Sequence, residues 1–367
     1  MFRESLPTTL VMEELPQPRV THVLQRGQYD QPGQAVEPGI PAMFSNWPDD
    51  APRNRLGFAR WLVSNDNPLT ARVAVNRFWK QCFGEGLVRT ANDLGTQGAP
   101  PTHPELLDWL AAEFRDSGWN IKPLLKLIVM SRTYRQDSRF RGDPASDADP
   151  QNRWLARGPT FRMSAEMIRD HALAVSGLLR PQIGGPSVKP YQPPGLWEEV
   201  SYNAEDTYVQ DSGDGLWRRS LYTYIKRQAP PPSLLAFDGP TREKCTVQRP
   251  HTNTPLQSLI LLNDPTYVEA ARVLASRVLA TNSDDGTRLT QLVRRVISRS
   301  PDDDELSLLH DLLQRQREHF LKIPADAKTL VSVGEWKHDE SIDPIELAAM
   351  TVVAHTLLNL DEAMTRR

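Results

Sequence analysis

Five prolines in this chain each follow a residue of the kind that caps helices, and each pair opens an amphipathic run. They are Asn67-Pro68, Thr254-Pro255, Asp264-Pro265, Ser300-Pro301 and Asp343-Pro344. Proline has no N–H to donate and a φ fixed near the helical value, so it suits a first helical turn and disrupts an interior. The side-chain oxygen just before it can accept from the orphan N–H groups of that turn. Proline is 31 of 367 residues, about 8% against a usual share of about 5%. Much of that excess therefore marks helix starts, not disorder. Gln257, Asp303 and Glu346 stand three residues past three of the caps, and Thr254 with Gln257 fits a capping box, as does Thr102 with Glu105.

Apolar periodicity fills in the helices behind these starts. The spacing predicts helices near 53–65, 69–83, 103–117, 121–134, 164–179, 255–280, 286–298, 302–320 and 344–358. Leu106, Leu107, Leu110, Ala111 and Phe114 form one stripe, and Leu347, Ala348, Val352 and Leu358 another. Such stripes face a core.

The middle of the chain breaks this pattern. Gly184-Gly185-Pro186, Pro193-Pro194-Gly195 and Pro230-Pro231-Pro232 interrupt it, with a short strand pattern at Leu221–Ile225. Eight aromatics between Tyr191 and Phe237, among them Trp197, Tyr208, Trp217 and Tyr224, argue that this stretch is packed. The reading is mainly α: a multi-helix domain with a long Pro/Gly-rich, aromatic-rich irregular insertion and at most a few short strands. Its organisation runs as an extended N-terminal arm over 1–50 with a turn at Pro38-Gly39, a helical first half over 51–180, an irregular excursion over 181–250, and a helical second half over 251–367. Together these are expected to form one large domain.

Composition excludes several functions. A net charge of -3 gives no global pull toward nucleic acid. No apolar run reaches the roughly 18 residues that span a bilayer, and Met1–Pro16 lacks the basic and apolar regions of a signal peptide. Two cysteines, Cys82 and Cys245, are too few for a Cys-rich zinc site, an iron–sulfur cluster or a haem attachment, and no resident cofactor or metal is expected. Only nine of the 43 basic residues are lysine. Arginine suits bidentate anion recognition, but here it is scattered and matched by acids, as a GC-rich genome would also leave it.

Several blocks carry a family resemblance. Asn67-Pro68-Leu69-Thr70-Ala71-Arg72-Val73-Ala74-Val75-Asn76-Arg77-Phe78-Trp79 and Phe83-Gly84-Glu85-Gly86-Leu87-Val88 are two of them. Others begin at His103 (His-Pro-Glu-Leu-Leu-Asp-Trp-Leu), Ser131 (Ser-Arg-Thr-Tyr-Arg-Gln), Gly184 (Gly-Gly-Pro-Ser-Val), Thr252 (Thr-Asn-Thr-Pro-Leu-Gln) and Leu262 (Leu-Asn-Asp-Pro). Together they resemble domain of unknown function 1553, found in Planctomycetes and related bacteria. The resemblance implies an exported, periplasmic or secreted parent protein, often with an upstream cytochrome c-like segment that this chain does not include. It also implies a setting of glycan degradation, and it lends no catalytic residues.

Candidate chemistry is then read residue by residue. Glu166 and Asp170 share a helix face and could act as paired carboxylates, with Arg169 beside them and Ser164 as N-cap; Asp238 is a third acid/base candidate. His171 points elsewhere and has no second ligand at i+4. The binding candidates are Tyr191, Gln192, Trp197, Arg218, Arg219, Tyr222 and Arg242, near Tyr224, Lys226 and Arg227. Aromatic faces stack on sugar rings, and arginine forks bind sulfates or carboxylates. Asn76, Arg77, Tyr134 and Arg135 are candidates for the floor of such a cleft. Gly184–Lys189 is a weak anion cradle, His103 and Glu105 are an acid/base pair or a helix start, and Asp302–Asp304 is a solvated helix N-terminus. The expected function is binding or processing of a glycan, including sulfated or acidic polysaccharide. The alternative is a non-catalytic domain that docks the cytochrome c-like segment or another partner.

Overall fold

The computed structural model describes residues 8–44, 47–138, 148–281 and 284–366, and they form two compact units, 1–131 and 132–367. Both are mainly helical.

In the first unit, strands β1 (Thr21–Leu24) and β2 (Pro32–Val36) pair antiparallel, with Thr21 opposite Val36. The expected extended arm is thus a hairpin in part, and its turn lies around Gln25–Gln31 rather than at Pro38-Gly39. Gly27 sits at φ +76, a left-handed conformation that glycine adopts without strain. Helices α1 (Arg55–Leu62), α2 (Thr70–Phe83), α3 (Pro104–Asp116) and α4 (Ile121–Met130) follow. The Asn54 side chain caps α1 through Leu56 and Gly57, and Asn67 accepts from Leu69 and Thr70 at the start of α2. Val75, Trp79, Leu107, Leu110, Phe114 and Ile128 are the buried stripes of α2–α4, and Trp79 stacks on Phe83 at 4.2 Å. The Thr102/Glu105 capping box does not form: His103 is the N-cap and makes no side-chain cap bond, while its Nδ1 lies 3.0 Å from the Thr102 hydroxyl.

In the second unit, α5 (Ala165–Ser176), α6 (Leu196–Val200) and α7 (Pro232–Ala236) precede α8 (Pro255–Asn263) and α9 (Pro265–Thr281). Then come α10 (Asp285–Ile297), α11 (Asp303–Lys322), α12 (Pro324–Val331), α13 (Pro344–Leu358) and α14 (Asp361–Met364). The predicted single helix over 255–280 is two. Pro265 withholds an N–H and pushes Asp264 out of the helical region, to φ -69 and ψ 127, so α8 stops and α9 starts at that joint. Strand β3 (Phe161–Arg162) pairs with β4 (Thr365–Arg366).

The core centres on α9, whose Ala270, Ala271, Val273, Leu274 and Ala275 are buried, packed with Leu347–Met350 of α13. Small residues on both helices permit that close approach. Asp302, not Ser300, caps α11, in a capping box with Glu305. Thr254 makes no cap bond, because Gln257 turns inward to the Ala236 and Thr252 carbonyls and accepts from Arg162.

The excursion over 181–250 is ordered within this unit, and Leu216, Trp217, Leu234 and Phe237 join the core. The strand expected at Leu221–Ile225 is a 3-10 turn at Ser220–Tyr222 with one parallel bridge, Val188 to Thr223. Local turns and arginine-to-carbonyl bonds satisfy the neighbouring backbone, so a longer ladder is not needed.

Candidate functional site

Two arginines, Arg169 and Arg218, serve the chain's own backbone, whereas Arg219 and Arg242 are half exposed. Arg169 on α5 is fully buried and donates to the carbonyls of Leu216 and Arg218 and to the Ser220 hydroxyl, at 2.6–3.1 Å. Arg218 is 5% exposed and reaches the carbonyls of Gln182, Gly184 and Pro186, while its guanidinium lies 3.9 Å from the centre of the Tyr222 ring. The Gly184–Lys189 loop therefore presents carbonyls to a cation of its own chain, and the N–H of Gly184 goes to the Tyr222 hydroxyl. That arrangement is the reverse of an anion cradle.

The acids proposed for catalysis are likewise engaged. Glu166 holds Arg249 in a fork at 2.6 and 3.1 Å, with Arg242 at 3.8 Å. Burial is the largest single effect and works to raise this carboxyl, but the Arg249 fork, the backbone N–H of Glu166 and the Ser164 hydroxyl together hold it below the usual range. Asp170, four residues on, accepts from the Ser220 N–H at 2.7 Å, with Arg219 at 3.5 Å. The two therefore serve different partners. Asp238, at φ +62, accepts from the N–H and hydroxyl of Thr252 at 2.7–3.0 Å, pinning the end of α7 to the segment before α8. Trp197 is 8% exposed, with the Lys189 and Lys226 ammoniums 5.0 and 4.8 Å from its ring centre.

The remaining candidates divide by unit. Asn76 is buried in the first unit, giving and taking hydrogen bonds with the Val88 backbone at 2.9 and 2.8 Å, and its neighbour Arg77 is exposed. Tyr134 carries the Arg366 guanidinium 4.7 Å from its ring centre, and Arg135 is exposed.

Tyr191 and Gln192 have a different role. They form one wall, with Pro193 and Pro194, of a cleft of about 450 Å³ in the second unit. Gln210 and Pro232–Ser233 supply further walls, and the end of α8 closes it with Leu259, Ile260, Asn263 and the Asp264-Pro265 joint. Prolines, Tyr191, Leu259 and Ile260 give apolar faces. Three amides, a hydroxyl and one carboxyl stand among them, the mixture typical of small-molecule sites.

Two groups in this cleft are held in unusual states. Burial pushes the Asp264 carboxyl above the ordinary aspartate range, outweighing the bonds from Thr266, the charge of Arg169 and the Ser233 hydroxyl. Tyr191 is fixed from below: its hydroxyl donates to Glu269 at 3.3 Å and accepts from the Glu335 N–H at 2.9 Å. Burial, with Glu269 second, raises its phenol above the usual value. Glu269 is fully buried and also accepts from the Trp217 indole and the Trp336 N–H, at 2.8 and 2.7 Å. The floor of the cleft is thus tied to the core of the unit.

Asp264, Asn263, Ser233 and Gln210 were not among the candidate site residues read from sequence. The first two lie in the Leu262–Pro265 block, whose capping reading is also correct, since Asp264 accepts from Thr266 N–H at 2.9 Å. A cap residue at a helix break can face a cleft as well.

A second cavity, about 420 Å³, lies among Gln136–Ser138, His171, Val296–Arg299, Glu362, Ala363, Thr365 and Arg366. Its charges are engaged: Arg299 forks onto Glu305 and reaches Glu362, and Arg366 lies over Tyr134 and Phe161. Among the described residues no helix is long and apolar enough to cross a membrane.

Fold and cleft together define a mainly helical protein with a preformed, partly apolar cleft carrying one carboxyl. The chain belongs to the family of proteins of unknown function DUF1553, whose model matches residues 54–313. Every residue that lines the first cleft falls inside that stretch, whereas Glu362, Ala363, Thr365 and Arg366 of the second cavity lie beyond it. No curated protein and no solved structure matches the chain.

Proposed function

We propose that the second unit is a glycan-binding domain of an exported bacterial protein and that its site is the cleft beside Tyr191 and Asp264. The observation that carries this reading is the lining itself, which combines apolar faces with amide, hydroxyl and carboxyl groups. A sugar ring presents the same combination, with C–H faces for proline and tyrosine and hydroxyls for Gln, Asn, Ser and Asp. Binding is favoured over hydrolysis. Glycoside cleavage ordinarily uses two carboxyls flanking the bond, and the described lining carries Asp264 alone.

A thermal-shift screen of the whole chain against oligosaccharides tests the reading. A ligand at 100 times its Kd stabilises by about 2.7 kcal/mol, so a rise of several degrees that disappears when Ser233→Trp fills the cleft is the expected result. Flat curves at millimolar ligand would refute it.

One feature favours a second reading, a domain that docks the cytochrome c-like segment or another partner. Leu256, Leu259 and Leu262 recur every three residues on α8 and are 56, 54 and 44% exposed. An apolar stripe of this kind suits protein contact. Co-purification of the chain with its parent protein's upstream segment, lost in Leu256→Glu, is the corresponding test.

A further inference from the structure

We infer that the cleft selects uncharged ligands, rich in hydroxyl or amide groups, and disfavours sulfated or carboxylated ones. The inference rests on the glycan reading of this cleft and narrows it.

Asp264 is the one formal charge among the lining residues, and no lysine, arginine or histidine stands there with it. Three arginines of this unit are committed to its own groups. Arg169 donates to two carbonyls and a hydroxyl inside the unit, Arg218 to three carbonyls, and Arg249 to Glu166. A sulfate or carboxylate entering the cleft would lose its water and gain no counter-charge, and it would face a carboxyl. A neutral hydroxyl suffers neither loss. Gln210 and Asn263 each offer both a donor and an acceptor, and Ser233 adds a hydroxyl.

The experiment is calorimetric titration of the full chain with neutral gluco-, manno-, galacto- and xylo-hexasaccharides, and with sulfated and uronate forms of the same backbones. The expected result is binding of at least one neutral backbone, with its charged forms weaker by tenfold or more. Asp264→Asn should narrow that gap. Should Asp264→Asn fold poorly, Gln210→Arg serves instead: Gln210 is exposed, and a cation there should improve the charged forms several-fold while the neutral one changes little. Charged forms that bind the original chain as tightly as neutral ones, and lose binding in Ser233→Trp, would overturn this inference while leaving the glycan reading in place. Failure of every saccharide at millimolar concentration would overturn both.

Discussion

Replacing Glu269 with alanine tests what holds the cleft to the core. The carboxylate is fully buried on α9 and accepts from Tyr191, Trp217 and Trp336, and Arg272, 1% exposed, lies 4.0 Å away one turn on. Arg272 donates to the Trp336 carbonyl at 2.5 Å, and its Nε and Nη1 are buried with no partner among the described residues. Removing Glu269 therefore leaves a buried guanidinium without its counter-charge and three donors without an acceptor. Breaking one half of a buried pair costs about 3–5 kcal/mol. For a unit of this size each kcal/mol lowers Tm by roughly 2–4 °C, so the expected fall is on the order of 10 °C. Calorimetry of Glu269→Ala, and of the cycle formed by Glu269→Gln, Arg272→Met and the double variant Glu269→Gln/Arg272→Met, checks the cause. If charge burial is what matters, the double variant should melt well above either single one, because no lone charge remains. A fall below 2 °C for Glu269→Ala, or full additivity in the cycle, would refute the argument.

Three further expectations follow from the same interactions. Burial lowers the pKa of His171 and His355, and a folded value below the unfolded one means that the unfolded chain takes up more protons; stability is then complete above about pH 6.5 and falls below it. Tm should drop between pH 7.5 and 5.5, less so in His355→Leu, while Asp264 pulls the opposite way because its raised carboxyl favours the folded state as pH falls. Arg317 joins Asp285 on α10 to Glu346 on α13 at 2.5–3.0 Å with its side chain 18% exposed, so Arg317→Met should cost about 2 kcal/mol in urea unfolding. Asp238→Ala should cost about 1–2 kcal/mol through loss of Thr252 and leave saccharide affinity unchanged; a loss of affinity instead would return Asp238 to the site.

The helices were legible because proline and its capping partner act locally, and the stripes behind them face one core. Apolar periodicity, not this local rule, misjudged 255–280, since Asp264-Pro265 already stood among the helix starts. Periodicity runs through Asp264, but Pro265 denies it a helical continuation, and backbone geometry outranks hydrophobic phase. Gln257 shows the limit of motif reading: as a buried amide it is worth more bonded to Ala236 and Arg162 than to a cap. Of the site, Tyr191 and Gln192 were legible because aromatic and amide groups on irregular backbone tend to line clefts. Arg218, Glu166 and Asp238 look identical in sequence whether they meet a ligand or another part of the chain. Only tertiary contacts separate the two, which is also why Asp264, disguised as a cap, was passed over.

The arginine-to-carbonyl bonds of the excursion have a consequence for how the segment is fastened. With Cys245 as its sole cysteine, the stretch over 181–250 cannot close on itself through a disulfide. Arg169 and Arg218 clip it instead from inside the protein, the first through two carbonyls and a hydroxyl and the second through three carbonyls. A fastening of this kind ignores the redox poise of its surroundings, so the loop that frames the cleft holds alike in a reducing cytosol and an oxidising envelope. It also withdraws the Arg218 side chain from the surface, which should leave the native chain resistant to trypsin at that bond while exposed Arg227 is cut.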